Sequence, residues 1–274
     1  MKRTAALLLL IVICASVLVT SVSAAATSSW VSIYIDGEKY DGITQIRDNT
    51  TFVGIRAFAN EMDKDSKVTY SSSTRTLTVK TDKLTLICKD GASYIEANGR
   101  YIYTDTPIYM SNGRMYAPVI ILAKAFGAKI SWQDSIRGFK ITKGTGGIEG
   151  RSFREDEVFW LARIIHAESG GEPMKGKIAV GNVILNRVRS KDYPNTIYGV
   201  IFDKRYGVQF SPVSNGTIYN TPSDESIIAA KICLEGYSVS TEILYFVNSK
   251  IAPNSWASKN RPYFDTIGNH AFYE

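Results

Sequence analysis

Cysteine and histidine are both scarce in this chain, with three Cys and two His among 274 residues. Cys14 falls in an N-terminal leader, so only Cys88 and Cys233 remain, far apart. Two such cysteines exclude a disulfide framework, and each is expected to be a small buried hydrophobe. The two histidines, His166 and His270, both lie in the second half. Charge of one sign is not concentrated anywhere. The net charge is +6, yet residues 25–150 carry 16 Lys/Arg against 13 Asp/Glu, and residues 151–274 carry 14 against 13. Without a basic block there is little basis for nucleic-acid binding.

Long apolar runs are also missing after the leader. Lys2 and Arg3 precede an apolar run from Ala5 to about Val19, and Val22-Ser23-Ala24 follows as a small-x-small cleavage pattern. This reads as a signal peptide over residues 1–26. The run is short for a membrane span, which needs about 20 residues. The membrane is therefore expected to matter only during export, and the mature protein is expected to be secreted.

What is present divides into two halves of different period. Residues 30–143 read as strands. Val31–Ile35 alternates and Asp36-Gly37 is a hairpin signal. Val68–Tyr70 and Thr76–Val79 flank a serine turn, and Leu84–Ile87 and Tyr94-Ile95 follow. Short helices interrupt at about Ile55–Met62 and Ile120–Phe126. This half repeats itself. Lys67–Tyr70 matches Lys129–Trp132, and Leu77 and Val79 match Phe139 and Ile141, at one common offset. Phe52 and Ala59 match Tyr116 and Ala123 with a two-residue gap. A duplicated β-rich α+β module over residues 27–143 is expected. A Gly-rich linker over residues 144–152 should be flexible.

From residue 153 the period becomes helical. Ser152 and Glu155 have capping-box spacing. Val158, Leu161, Ala162 and Ile165 continue as a helix, which Gly170-Gly171 ends. Pro173 opens a second helix with Ile178, Val180, Val183, Ile184 and Val188 on its core face. Thr221–Asp224 caps a third, running to about Leu234. One apolar strand, Ile243–Val247, lies among Tyr- and Gly-rich loops. Residues 153–274 are thus expected to be mainly helical with a small β element, and the chain α+β overall.

Glu168 draws the eye chemically. It sits in the last turn of an apolar helix, where the helix dipole and partial burial both disfavour a carboxylate. Both raise its pKa, which suits a general acid at neutral pH.

Asn112–Pro118, Leu122–Ala128 and Ser131-Trp132 resemble the copper amine oxidase N-terminal-like domain. Copper does not follow from that name. Residues 27–150 contain no His and a single Cys, whereas copper sites want imidazole or thiolate clusters. The module reads as an accessory or wall-binding element, not a catalyst, and equally as a plain structural spacer. The segments Leu161–Pro173, Gly181–Val188, Pro194–Ile201, Gln209–Pro212, Leu244–Asn248 and Thr266–Phe272 resemble the SleB-type cell-wall hydrolases, a family that includes spore cortex-lytic enzymes. The resemblance implies a lysozyme-like helical core with Glu168 as catalytic acid. It also implies cleavage of the bond between N-acetylmuramic acid and N-acetylglucosamine in peptidoglycan, as a lytic transglycosylase. The setting would be spore cortex breakdown during germination or wall remodelling, in the cell wall or spore envelope of a Gram-positive bacterium.

One carboxylate suffices for that reaction. A hydrolase would need a second, for which Glu172, Asp203, Asp224 and Asp265 are candidates. Glu172, Gln209, Ser211, Tyr245 and Asn248 are candidate substrate-binding residues. Phe210, Tyr219 and Trp256 could stack on sugars, although packing explains each equally. No cofactor and no metal are expected. Two alternatives remain. One is a zinc amidase using His166, His270 and a carboxylate. The other is a wall-binding protein without catalysis. Oligomeric state is not legible.

Overall fold

The computed structural model describes residues 31–274, apart from 152, 206 and 249. The leader over residues 1–26 and the cap expected of Ser152 lie outside the described residues. Among those described, no helix is long and apolar enough to cross a membrane.

The first half is a set of hairpins. β1 (Ser32–Ile35) turns into β2 (Glu38–Lys39), and β3 (Thr44–Arg47) into β4 (Thr50–Gly54), which runs into α1 (Ile55–Met62). β5 (Lys67–Ser71) and β6 (Thr76–Lys80) follow, then β7 (Thr85–Lys89). The second repeat has β8 (Tyr94–Ala97) with β9 (Arg100–Tyr103), then β10 (Tyr109–Ser111) with β11 (Arg114–Pro118). It ends with α2 (Val119–Ala125), β12 (Lys129–Gln133) and β13 (Gly138–Thr142).

Four of these hairpins turn on two residues that both have positive φ: Asp36-Gly37, Asp48-Asn49, Asn98-Gly99 and Asn112-Gly113. That backbone matches the twist of paired strands, and Asp, Asn and Gly tolerate it best. The turns recur at the offsets of the sequence repeat, so the duplication extends to turn chemistry. The repeats meet along β4 and β11, which pair antiparallel at the centre of a sheet ordered β10-β11-β4-β3. Phe58 and Phe126 touch edge to face in the shared core.

The module closes on itself. β1 pairs in parallel with β13 in a sheet ordered β12-β13-β1-β2, joining the first strand of one repeat to the last of the other. The third sheet, β5-β6-β7-β8-β9, breaks the symmetry because β7 is inserted between hairpins. Gly138 makes the closure possible, since a Cβ there would lie 2.0 Å from the Ser32 carbonyl oxygen.

The Gly-rich stretch is pinned rather than loose. The Asn98 side chain donates to the Ile148 carbonyl at 2.7 Å, and the Ile148 amide donates to Ala125. A Cβ on Gly147 would strike the Lys83 carbonyl. Glycine is there for close packing and not for freedom.

The second half has three principal helices: α3 (Glu155–Ser169), α4 (Met174–Arg189) and, later in the chain, α7 (Asp224–Leu234). Three helices of five residues each lie around them: α5 (Ile197–Ile201), α6 (Ser211–Asn215) and α8 (Trp256–Asn260). A sheet ordered β14-β16-β15 completes it, from β14 (Tyr245–Asn248), β15 (Tyr263–Ile267) and β16 (His270–Tyr273). α3 starts with Arg154 as its N-cap and no capping side chain, so Glu155 is its first residue and the capping-box register fails. Ser223 does cap α7, accepting from the Ser226 amide. The three long helices approach closely at Gly181, where a Cβ would lie 2.7 Å from Cys233 Sγ and 2.9 Å from Ile165. Cys88 and Cys233 are buried and free.

The two halves share a packed seam within residues 31–274. Arg100 in β9 forms an ion pair with Glu235 after α7 at 2.6 Å, and Arg151 reaches the same carboxylate at 3.4 Å. Tyr103 packs on Tyr237 with ring centroids 4.5 Å apart and belongs to the core of the helical half.

Gly138→Ala is expected to open the β1–β13 closure. Forcing a methyl group into that backbone contact should cost about 2 kcal/mol, read as a lower urea midpoint at unchanged slope.

Candidate active site

α3 brings Glu168 to the edge of the helical core. Leu161, Ala162, Ile164 and Ile165 on its inner face are buried. Gly170 follows with φ −55°, so the helix ends without a left-handed cap. Glu168 is half-buried, and among the described residues no hydrogen bond or ion pair reaches its carboxyl group. Burial alone raises its pKa to about 7. A carboxyl in that state holds its proton near neutrality and can also release it.

Glu168 lines a cleft of about 440 Å³ with Arg187, Gln209, Phe210, Ser211, Tyr245, Ser255 and Trp256. Six residues singled out in the sequence, Glu168, Gln209, Phe210, Ser211, Tyr245 and Trp256, are thus brought together from α3, the approach to α6, α6 itself, β14 and α8. Glu168 is the one carboxylate among the described residues lining this cleft.

Arg187 holds the floor. It lies on the core face of α4 and is only 6% exposed. Its Nε donates to the Leu244 carbonyl at 2.8 Å, tying α4 to the chain entering β14. Its guanidinium stands 5.0, 5.3 and 5.5 Å from the rings of Tyr193, Phe210 and Tyr245. Burial lowers its pKa, and its Nη1 finds no hydrogen-bond partner. Cation–π contact takes the place of that missing bond. The Tyr193 hydroxyl donates to the Tyr245 hydroxyl at 3.1 Å and fixes that ring. Trp256 sits at the mouth, 59% exposed and edge-on to Tyr245. Arg261 lies over both rings. An exposed indole beside a polar cleft is a platform for the C–H face of a sugar.

Two candidates are placed elsewhere. Glu172 is buried and does not line the cleft. Its oxygens accept from the Asn269 amide and from Asn269 Nδ2, both at 2.9 Å, in the turn between β15 and β16. Burial would raise this carboxyl, but the Asn269 hydrogen bonds prevail and hold it below its ordinary value. Gly268 is required there twice over: its φ is +65°, and a Cβ would lie 1.9 Å from Glu172 Oε2. Asn248 also stays out of the cleft. It ends β14, and its Oδ1 accepts from the amides of Lys250 and Ile251, shaping the turn that follows.

The other carboxylates are engaged outside the cleft. Asp203 pairs with Arg205 at 2.8 Å, Asp265 accepts from the Thr266 amide, and Asp224 lies in the first turn of α7. Tyr219 stands against Trp160 and not in the cleft. His166 Nδ1 accepts from the Ser223 amide at 3.4 Å, whereas His270 is buried against Phe246. Among the described residues, no three His, Cys, Asp or Glu side chains are grouped so as to hold a metal ion.

Sequence reasoning missed Arg187. The available signal was its position four residues after Val183, a charge on an apolar stripe. Ser255 offered no comparable signal, because the five-residue helix that it caps shows no period.

The cleft thus has one half-buried acid, an aromatic rim and polar walls. The cell wall hydrolase model matches residues 171–273, beginning three residues after Glu168. The copper amine oxidase N-terminal domain model matches residues 34–141. A spore cortex-lytic enzyme of Bacillus cereus is 38% identical over 130 residues, covering 47% of this chain and 48% of that protein. One from Bacillus subtilis is 35% identical over 122 residues, covering 44% of this chain and 39% of that protein. The chain thus spans about half, or less, of the length of these two relatives. Among solved structures, the catalytic domain of the germination-specific lytic transglycosylase SleB from Bacillus anthracis is 35% identical. It is covered completely by 46% of this chain, with a TM-score of 0.41. Residues 34–141 thus match the copper amine oxidase N-terminal domain model and residues 171–273 the cell wall hydrolase model, and about half of the chain is similar to spore cortex-lytic enzymes. Copper does not fit the first domain, which has no histidine and whose one cysteine, Cys88, is wholly buried.

The raised pKa of Glu168 links stability to pH. Its folded value, about 7, exceeds the unfolded value of 4.5. Stability is therefore full below pH 4.5 and falls as pH rises through 7. Glu168→Gln removes the titration. The variant should gain on the wild type between pH 4 and pH 8 by up to about 3 kcal/mol, read from melting curves at both values.

Proposed function

We propose that the chain is an exported peptidoglycan-degrading enzyme that cleaves the bond between N-acetylmuramic acid and N-acetylglucosamine as a lytic transglycosylase. The observation that carries this reading is Glu168. It is a lone carboxyl in a polar, aromatic-rimmed cleft, and burial sets its pKa to about 7. The similarity to cortex-lytic enzymes supports the polymer and points to spore cortex breakdown in germination. The leader over residues 1–26 supports export to the wall or spore envelope.

The protonated Glu168 donates to the glycosidic oxygen as the bond from the muramyl C1 to that oxygen breaks. Positive charge develops at C1. The 6-hydroxyl of the same sugar attacks C1, and the Glu168 carboxylate takes the hydroxyl proton. The products are a free N-acetylglucosamine 4-hydroxyl and a 1,6-anhydromuramyl end, with Glu168 protonated again. A retaining hydrolase would place a second carboxyl about 5–5.5 Å away, and an inverting one about 6.5–9.5 Å away. The described lining offers neither. Gln209 and Ser211 supply groups that can hydrogen-bond acetamido substituents, and Trp256 with Tyr245 offers ring faces.

Digestion of purified cortex and vegetative peptidoglycan, with mass spectrometry of the fragments, tests this reading. Anhydromuropeptides that persist in EDTA are expected. Glu168→Gln should lower the rate by about 10³-fold, and wild-type kcat/KM should fall as pH rises above about 7. Reducing ends without the anhydro mass loss would replace transglycosylation by hydrolysis. Free stem peptides abolished by EDTA would replace both by an amidase.

A further inference from the structure

A second cavity lies in the N-terminal module. It measures about 520 Å³ and sits where α1, the β5–β6 hairpin and β11 converge. Its floor is apolar, with Leu77 and Met115 buried beneath it. Tyr70 forms a wall and is 43% exposed, although it faces Leu77 directly across the hairpin.

The polar groups at the cavity are donors. Among the described residues, Arg114 makes no ion pair or hydrogen bond. Among the described residues, Arg56 gives a single bond, from Nη1 to the Val68 carbonyl at 3.0 Å, and meets no carboxylate. Asn60 accepts from Ser66 through Oδ1, which leaves its amide hydrogens free. Free donors and two cations around an apolar floor and an aromatic wall call for a particular ligand. It must bring acceptor oxygens and negative charge, together with methyl groups and C–H faces. An N-acetylated sugar carrying a carboxylated peptide has all of these.

The repeat adds an independent observation. Trp132 occupies the strand position equivalent to Tyr70, faces Phe139 across its hairpin as Tyr70 faces Leu77, and is 47% exposed. Two large aromatic rings left in water at matching positions suit a ligand that itself repeats.

We propose that the cavity beside Tyr70 binds an N-acetylated glycan strand bearing carboxylated peptides, and that Trp132 is its counterpart in the second repeat. The ligand class rests on the function proposed above, whereas the site rests on the module alone. Tyr70 supplies the platform, the apolar floor receives acetamido methyl groups, and Arg56 and Arg114 meet peptide carboxylates. The module then retains the enzyme on the polymer that the cleft cuts.

The test is co-sedimentation of the full chain with insoluble peptidoglycan, all variants carrying Glu168→Gln so that binding is read without digestion. Tyr70→Ala should weaken retention about tenfold, the remainder coming from the cleft. Tyr70→Trp should restore it. Arg56→Ala with Arg114→Ala should weaken it and flatten its salt dependence. Melting temperatures should match, because Tyr70 is a surface residue. Unchanged retention of Tyr70→Ala would overturn the site. Equal binding to cellulose, which has no N-acetyl groups, would overturn the ligand class. Failure of the proposed function reads differently: the wild type would cleave no peptidoglycan while Tyr70-dependent retention persisted.

Discussion

Burying a carboxyl group without a hydrogen-bond donor destabilises a fold, and the helical half is organised to tolerate that at Glu168. The penalty at high pH is about 3 kcal/mol at most. Against it stand four wholly buried apolar residues on the same helix, Leu161, Ala162, Ile164 and Ile165. A fully buried Leu or Ile side chain contributes about 1.5–3 kcal/mol, so the inner face of α3 outweighs its last turn. Glu172, four residues later, shows the opposite solution. It is buried as well, but Asn269 supplies two donors and the group stays ionised. Burial alone does not set a carboxylate's chemistry; the presence or absence of donors does. One segment therefore yields a proton-holding acid and a structural clamp.

The clamp matters to the cleft. Glu172 fixes the turn between β15 and β16, and β16 is the central strand of the small sheet. β14 pairs with β16 and carries Tyr245 into the cleft. Arg187 secures the same strand from the other side through the Leu244 carbonyl. The cleft wall is thus held by one buried anion and one buried cation, neither facing the other. Each is satisfied locally, by an amide turn or by aromatic faces. Glu168 remains the group without a counter-charge.

The repeat was legible in the sequence because strand pairs, turns and helices recur in order, and period two survives in half-buried hairpins. α1 falls at Ile55–Met62 as read, because its apolar spacing is helical and β4 runs straight into it. The long helices were legible for the same reason, since fifteen or sixteen residues hold several turns of pattern. α5, α6 and α8 were not, because five residues make little more than one turn. The strand read at Ile243–Val247 begins two residues later, since Ile243 is drawn into the helical core and Leu244 serves Arg187. Glu168, Gln209, Ser211 and Tyr245 could be picked from their chemistry and from family resemblance. Glu172 belongs to the same motif, yet its role depends on a turn almost a hundred residues away. No local pattern reveals such a pairing. The Gly-rich stretch misled for a related reason. Composition cannot separate glycine chosen for freedom from glycine chosen for close approach, and Gly147 is of the second kind.

On the proposed mechanism a single carboxyl must give a proton in one step and take one in the next. A group at its ordinary pKa would seldom hold the proton at neutral pH and would fail the first step. A group raised far higher would be too weak an acid to give up its proton in the first step. A value near the working pH serves both. A second carboxylate in the cleft would disturb this balance, because like charges in a poorly solvated site push one pKa up and couple the two titrations. Isolation of Glu168 from both donors and other carboxylates is thus the condition that lets one residue act twice. On the proposed mechanism the attacking hydroxyl comes from the substrate, and the product is the anhydro end.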